Sequence, residues 1–134
     1  MSEVFDVERW SKWANSEVSL FYTLPDYGRI GFITNSAPEE ILIITKNKDL
    51  SVKVETGIIQ EIKRNPVVDV VFIVKKEHFD HFLNDPKFEK FGKLIRKGYI
   101  TGNRLITEKD LHKKDYTLFL SALGLSASGG CCGV

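Results

Sequence analysis

The sequence predicts an α+β fold, with an antiparallel sheet of about five strands, the usual size, covered on one face by N-terminal, central and C-terminal helices. Three observations carry this. Short apolar segments separated by turn residues fill Val18 to Val54. An apolar run dominated by β-branched residues, Val67–Val74, is followed after a charged step by apolar residues at helical spacing. Amphipathic segments stand at both ends of the chain.

Asp6 to Ser16 reads as the first helix, with Asp6 as N-cap and Phe5 just outside it. Trp10, Trp13 and Ala14 form its apolar face; Arg9, Lys12 and Asn15 form the other. Val18–Leu24 reads as a strand, Pro25–Gly28 as a turn, and Arg29–Thr34 as the returning strand of a hairpin. Gly31 marks a bulge or bend in that strand. Ile41–Thr45 is apolar throughout and therefore central. In Leu50–Glu55 apolar and polar residues alternate, which predicts one wet face. Thr56 to Pro66 fits either one or two helical turns or a loop that tucks isoleucines under the sheet.

The Val67–Val74 run reads as a strand buried on nearly both faces, ended by Lys75-Lys76-Glu77. Phe79, Phe82 and Leu83 follow at helical spacing, until Asn84-Asp85-Pro86 breaks the helix. Phe88 and Phe91 give a short second helical face, and Gly92 to Asn103 reads as a glycine-bounded basic strand. Thr107 to Asp110 starts the last helix, with Leu111, Leu118, Ala122 and Leu125 on one stripe. One globular domain spans 1–125, and residues 126–134 form a flexible Gly/Ser/Cys tail.

The order of strand, helix, Asp85-Pro86, short helix and Gly92-Lys93-Leu94, with Gly98 following, resembles the second half of the sterol carrier protein (nonspecific lipid-transfer) family. Tyr99 stands where that family carries Asp or Asn. The resemblance implies noncatalytic binding or transfer of a lipid-like apolar ligand in a cavity between sheet and helices. The residues placed to line it are Trp10 and Trp13 on the first helix, and Phe21, Phe32 and Phe72 on strands. Phe79, Phe82 and Phe91 join them from the central helices, and Phe119 and Leu123 from the last. Each of these serves equally as plain core.

A net charge of +1 excludes a global field toward nucleic acid or anionic lipid. No apolar run reaches the length of about 20 residues that spans a bilayer. The first residues lack a secretory pattern, which places the protein in the cytoplasm. No phosphate-binding loop, nucleophile elbow or dinucleotide fingerprint occurs, so catalysis finds no support. His78 and His81 read as solvent-facing residues of an amphipathic helix rather than as metal ligands, because zinc needs three or four. Cys131 and Cys132, the two cysteines, sit in the tail and open an alternative: a small redox, sulfur-relay or metal-handling protein. A second alternative is a protein–protein interaction domain. Finally, Lys87, Lys90, Lys93, Arg96 and Lys97 interleave with apolar residues. They read either as the solvated side of two short elements or as a surface that docks phosphate headgroups.

Overall fold

The computed structural model of the chain describes residues 5–16, 20–48, 51–58, 68–85, 88–104, 108–114 and 116–122. Its helices are α1 (Val7–Ala14), α2 (Phe79–Leu83), α3 (Glu89–Arg96), α4 (Glu108–Lys113) and α5 (Thr117–Ala122). Its strands are β1 (Arg29–Thr34), β2 (Ala37–Lys46), β3 (Val52–Ile58), β4 (Val70–Val74) and β5 (Ile100–Arg104).

The strands form one five-stranded sheet in the order β3-β2-β1-β4-β5. All neighbours run antiparallel except β1 and β4, which are parallel and paired from Ile30↔Val70 to Ile33↔Ile73. The α+β class and the mainly antiparallel sheet expected from the sequence are thus present. Ile30, Phe32, Leu42, Ile44, Val70, Phe72, Val74 and Ile100 join the helix residues in the main core. Ile41, Ile43, Val68 and Val71 form a separate buried cluster. Adjacent β2 residues fall in different clusters, as side-chain alternation requires of a strand buried on both faces.

α1 begins as its sequence dictates. The Asp6 carboxylate accepts from the Arg9 N–H at 3.2 Å, and Phe5 packs edge-on against Trp10 (centroids 5.7 Å). This is a capped N-terminus with a hydrophobic staple. At its other end, Asn15 exchanges two hydrogen bonds with the Val52 backbone (3.0 and 3.1 Å), fixing α1 to the edge strand β3. Arg9 reaches across to α2, pairing with Asp80 at 2.7 Å and donating to Asn84 at 3.0 Å.

Four expectations need correction. The segment read as a strand over Val18–Leu24 is a 3₁₀ helix at Leu20–Thr23. Phe21 and Leu24 are buried three residues apart, and Thr23 Oγ1 donates to the Leu20 carbonyl at 2.6 Å. That three-residue period is helical, and the side-chain bond closes the turn from within. The partner of β1 is therefore β2, not a preceding strand. Second, Gly92 to Arg96 lies inside α3, not in a strand. Phe88, Phe91 and Ile95 are buried at helical spacing, and Gly98 (φ 83°) ends the helix. The Tyr99 N–H bonds back to the Leu94 carbonyl (2.9 Å) and the Gly98 N–H to that of Ile95 (3.0 Å), the Schellman arrangement. Third, the C-terminal segment is two short helices. The break between Lys113 and Thr117 resets the helical phase, so Leu118 is exposed while Tyr116, Phe119 and Leu120 are buried. Fourth, the irregularity of β1 falls between Phe32 and Thr34, not at Gly31. A Cβ on Gly31 would lie 2.6 Å from Ile41 Cδ1, so this glycine admits the neighbouring strand's isoleucine.

Thr56 to Ile58, which suited a turn or a loop, extend β3 opposite Leu42, Ile41 and Glu40.

Candidate functional site

Two regions carry the residues of interest. The first is the aromatic interior between the sheet and helices α1, α2, α3 and α5. Nine of the ten side chains expected to line a cavity are described, and all nine are buried: Trp10, Trp13, Phe21, Phe32, Phe72, Phe79, Phe82, Phe91 and Phe119. Leu123 lies outside the described residues. The nine form one continuous aromatic cluster with Phe5 and Phe88. Phe32 and Phe72, side by side on the parallel strands, stack at 5.4 Å. Phe91 of α3 meets both, at 6.0 and 5.9 Å.

Trp13 is the centre of the helix side. Its ring touches Phe82 of α2 (5.1 Å) and Phe21 (5.2 Å). From α3 it meets Phe91 at 5.4 Å and Phe88 at 4.8 Å. Its indole N–H is buried and has no acceptor among the described residues. Tryptophan Nε1 is a donor only, and when buried it usually finds a partner. Leaving such a donor unpaired costs about 1–3 kcal/mol. Phe88, its nearest aromatic neighbour, has φ 63°, the left-handed region, at the entry to α3. For a bulky residue that conformation costs on the order of 1–3 kcal/mol. Two local costs therefore meet on one contact, that of Trp13 with Phe88.

The second region is a concave pocket of about 320 Å³ on the outer side of α3. It is lined by Lys90, Lys93 and Leu94 of α3, Lys97 at that helix's C-cap, His78, His81 and Tyr99. The lysines recur at i, i+3 and i+7, so one stripe of α3 carries all three. The Schellman turn brings Tyr99 back beside that stripe. The His78 ring lies 5.2 Å from that of Tyr99 and 5.9 Å from that of His81. His78 is half-buried rather than solvent-facing, and its Nδ1 is buried with no hydrogen-bond partner among the described residues. No carboxylate lines the pocket, and none of the three lysines forms an ion pair among the described residues. Leu94, whose other side packs on the main core, joins the pocket floor to the interior.

Of the five basic residues singled out in sequence, three line this pocket. The Arg96 guanidinium instead lies over Gly92, 3.3 Å from where a Cβ would stand. Lys87 lies outside the described residues, as do Cys131 and Cys132. Among the described residues no three His, Cys, Asp or Glu side chains gather as metal ligands, so His78 and His81 stand as a pair. No helix among the described residues is long and apolar enough to cross a membrane.

Sequence reading missed Phe88, Leu94 and Tyr99 as site residues. The recurrence of Lys90, Lys93 and Lys97 was the available signal for the last two. It is visible as one stripe only once Gly92 to Arg96 is taken as helix.

A buried polar cluster also escaped notice. Tyr116, ahead of α5, donates to Asp69 Oδ2 at 2.6 Å and accepts from the Arg29 N–H at 2.9 Å. Lys114 pairs with the other Asp69 oxygen at 2.9 Å. Burial, then the Asp69 hydrogen bond and charge, push the Tyr116 hydroxyl far above the ordinary tyrosine range. The cluster holds the C-terminal helices to the sheet.

Comparison with protein-family models, with curated proteins and with solved structures finds no match.

Proposed function

We propose that this protein is a noncatalytic binder or carrier of a lipid-like apolar ligand, lodged against Trp13 between α1 and α3. The observation that carries this reading is the buried indole N–H without an acceptor among the described residues, in an otherwise apolar interior. A fatty acid or a sterol supplies both an apolar body and one oxygen acceptor. α3 is the natural moving wall. It is a helix of eight residues, entered through Phe88 in a strained conformation, and the Phe88 and Phe91 rings pack on Trp13. Displacing α3 outward lets Phe88 relax, opens space beside Trp13, and gives the indole its missing partner. Both local costs offset the work of opening. The resemblance to the sterol carrier family agrees with this ligand class.

The test is native mass spectrometry of the protein equilibrated with oleate, alongside a Trp13→Phe variant. The expected result is one oleate retained by the parent and released on denaturation. The variant should bind about tenfold more weakly, as loss of one buried hydrogen bond implies. It should unfold at a somewhat lower temperature, because the smaller ring leaves a cavity among the rings packed on Trp13, so both proteins are compared below their transitions. No retained oleate in the parent, or equal affinity in both proteins, refutes the reading.

A further inference from the structure

The pocket beside α3 has a composition that the apolar-ligand reading does not use. Three lysines line it, with two histidines and a tyrosine, and no carboxylate is among its described lining residues. The chain as a whole is almost neutral, with a net charge of +1, so this is a local concentration and not a share of a general excess. Lys90, Lys93 and Lys97, successive neighbours three and four residues apart, repel each other. The Asp85 carboxylate accepts from the Lys90 N–H at 2.8 Å at the start of the helix, and an anion bound beside the lysines would relieve their repulsion further. The volume of about 320 Å³ is at the lower end of that of small-molecule sites. It suits a small charged group with a few attached atoms.

We propose that this pocket binds a phosphomonoester. The dianion would sit among Lys90, Lys93 and Lys97, whose flexible stems can each bring an N–H donor to a different oxygen. His78 and His81 line the same pocket. Leu94 and the Tyr99 ring form an apolar flank for the carbon atoms next to the ester. A sulfonate, with three oxygens but one charge, and a carboxylate, with two oxygens and one charge, should bind more weakly. The site stands on the outside of α3, whereas the proposed apolar site lies on its inside, so either can fail without the other. The same headgroup chemistry occurs on soluble phosphorylated metabolites and on phosphatidic acid.

The experiment is isothermal titration calorimetry of the full chain with inorganic phosphate and with glycerol phosphate. It is run on the parent, a Lys93→Gln/Lys97→Gln variant and a Lys48→Gln control, each checked for fold by circular dichroism. Lys93 and Lys97 are exposed, so the variant should fold normally. Saturable binding by parent and control, weakened at least about tenfold in the double variant, is expected. In case the double variant is unstable, the His78 and His81 imidazole proton resonances of the parent must shift saturably with phosphate. A second arm uses vesicles of phosphatidylcholine carrying phosphatidic acid or phosphatidylglycerol. Capture by phosphatidic acid alone, competed by inorganic phosphate, identifies a lipid source. Phosphate binding without vesicle capture identifies a soluble ligand. No saturable binding of phosphate or glycerol phosphate, or equal binding in the double variant, overturns the proposal. So does equal capture by both acidic vesicles without competition by phosphate.

Discussion

Tyr116→Phe should destabilise the protein by about 2.5 kcal/mol. The substitution keeps the ring in the core and removes one oxygen. That oxygen donates to Asp69 at 2.6 Å and accepts from the Arg29 N–H at 2.9 Å. A hydrogen bond to a charged partner is worth about 1.5–3 kcal/mol, and a buried N–H left without an acceptor costs about 1–3 kcal/mol. These do not add in full. Asp69 keeps its pair with Lys114 and a side chain 13% exposed, so water and the ammonium recover part of the loss. Unfolding entropy for 134 residues is roughly 280 cal/mol/K at about 2.1 cal/mol/K per residue. Dividing one by the other gives a fall in Tm of about 9 °C. Thermal denaturation followed by far-ultraviolet circular dichroism reads it directly. Tyr99→Phe is the control, because its ring is exposed and should change Tm by no more than about 2 °C. If the two variants behave alike, the hydroxyl does not hold the C-terminal helices to the sheet.

The same hydroxyl predicts a pH dependence. Its proton is held in the folded state to a pH above the ordinary tyrosine value, so above about pH 10 the unfolded chain binds fewer protons than the native one. Stability should therefore fall as pH rises, by up to about 1.4 kcal/mol per pH unit from this group. Urea titrations at stepped pH should show a shallower fall for Tyr116→Phe than for the parent, and parallel curves would contradict the assignment. Asn15→Ala should cost about 1–2 kcal/mol, two backbone groups of Val52 having lost their partner. Faster hydrogen exchange at the Val52 N–H should accompany it, and unchanged exchange would disprove the tether. Gly28→Ala should cost about 1–3 kcal/mol, since the new Cβ falls 2.9 Å from the Pro25 carbonyl oxygen and 3.0 Å from the Tyr116 hydroxyl. Urea denaturation measures it, and a cost no larger than that of a surface substitution would show that the Pro25 turn yields freely.

The fold class was legible because its strongest signals are local. The Val70–Val74 strand, the Asp6 cap and the alternation of β3 each lie within a few residues of sequence. Two errors have one physical source, which is that short apolar segments do not declare their period. Leu20-Phe21-Tyr22-Thr23 fits a strand as well as a 3₁₀ turn until Phe21 and Leu24 are seen buried together. Gly92-Lys93-Leu94-Ile95-Arg96 fits a basic strand until Phe88 and Phe91 supply the rest of a helical face. The aromatic interior was readable from its rings, and each described residue in it is buried. The pocket was half readable. Its lysines were visible, but their convergence with His78 and Tyr99 depends on a turn that only the φ of Gly98 fixes. The Tyr116–Asp69 bond joins positions 47 apart, and no periodicity links them.

The single parallel pairing, between β1 and β4, divides the sheet into two antiparallel ribbons. One is the meander β1-β2-β3, whose register closes over short turns. The other is β4 with β5, joined through α2 and α3. Ile30 and Val70 are 40 positions apart (70 minus 30), so their contact waits on a loop closure that neither ribbon needs for itself. The seam should form late in folding, after the meander, and folding should be slower than the local contacts alone would allow. Phe32 and Phe72 stack across that seam. The step that zips the two ribbons together is therefore also the step that completes the aromatic floor under Trp10 and Phe91.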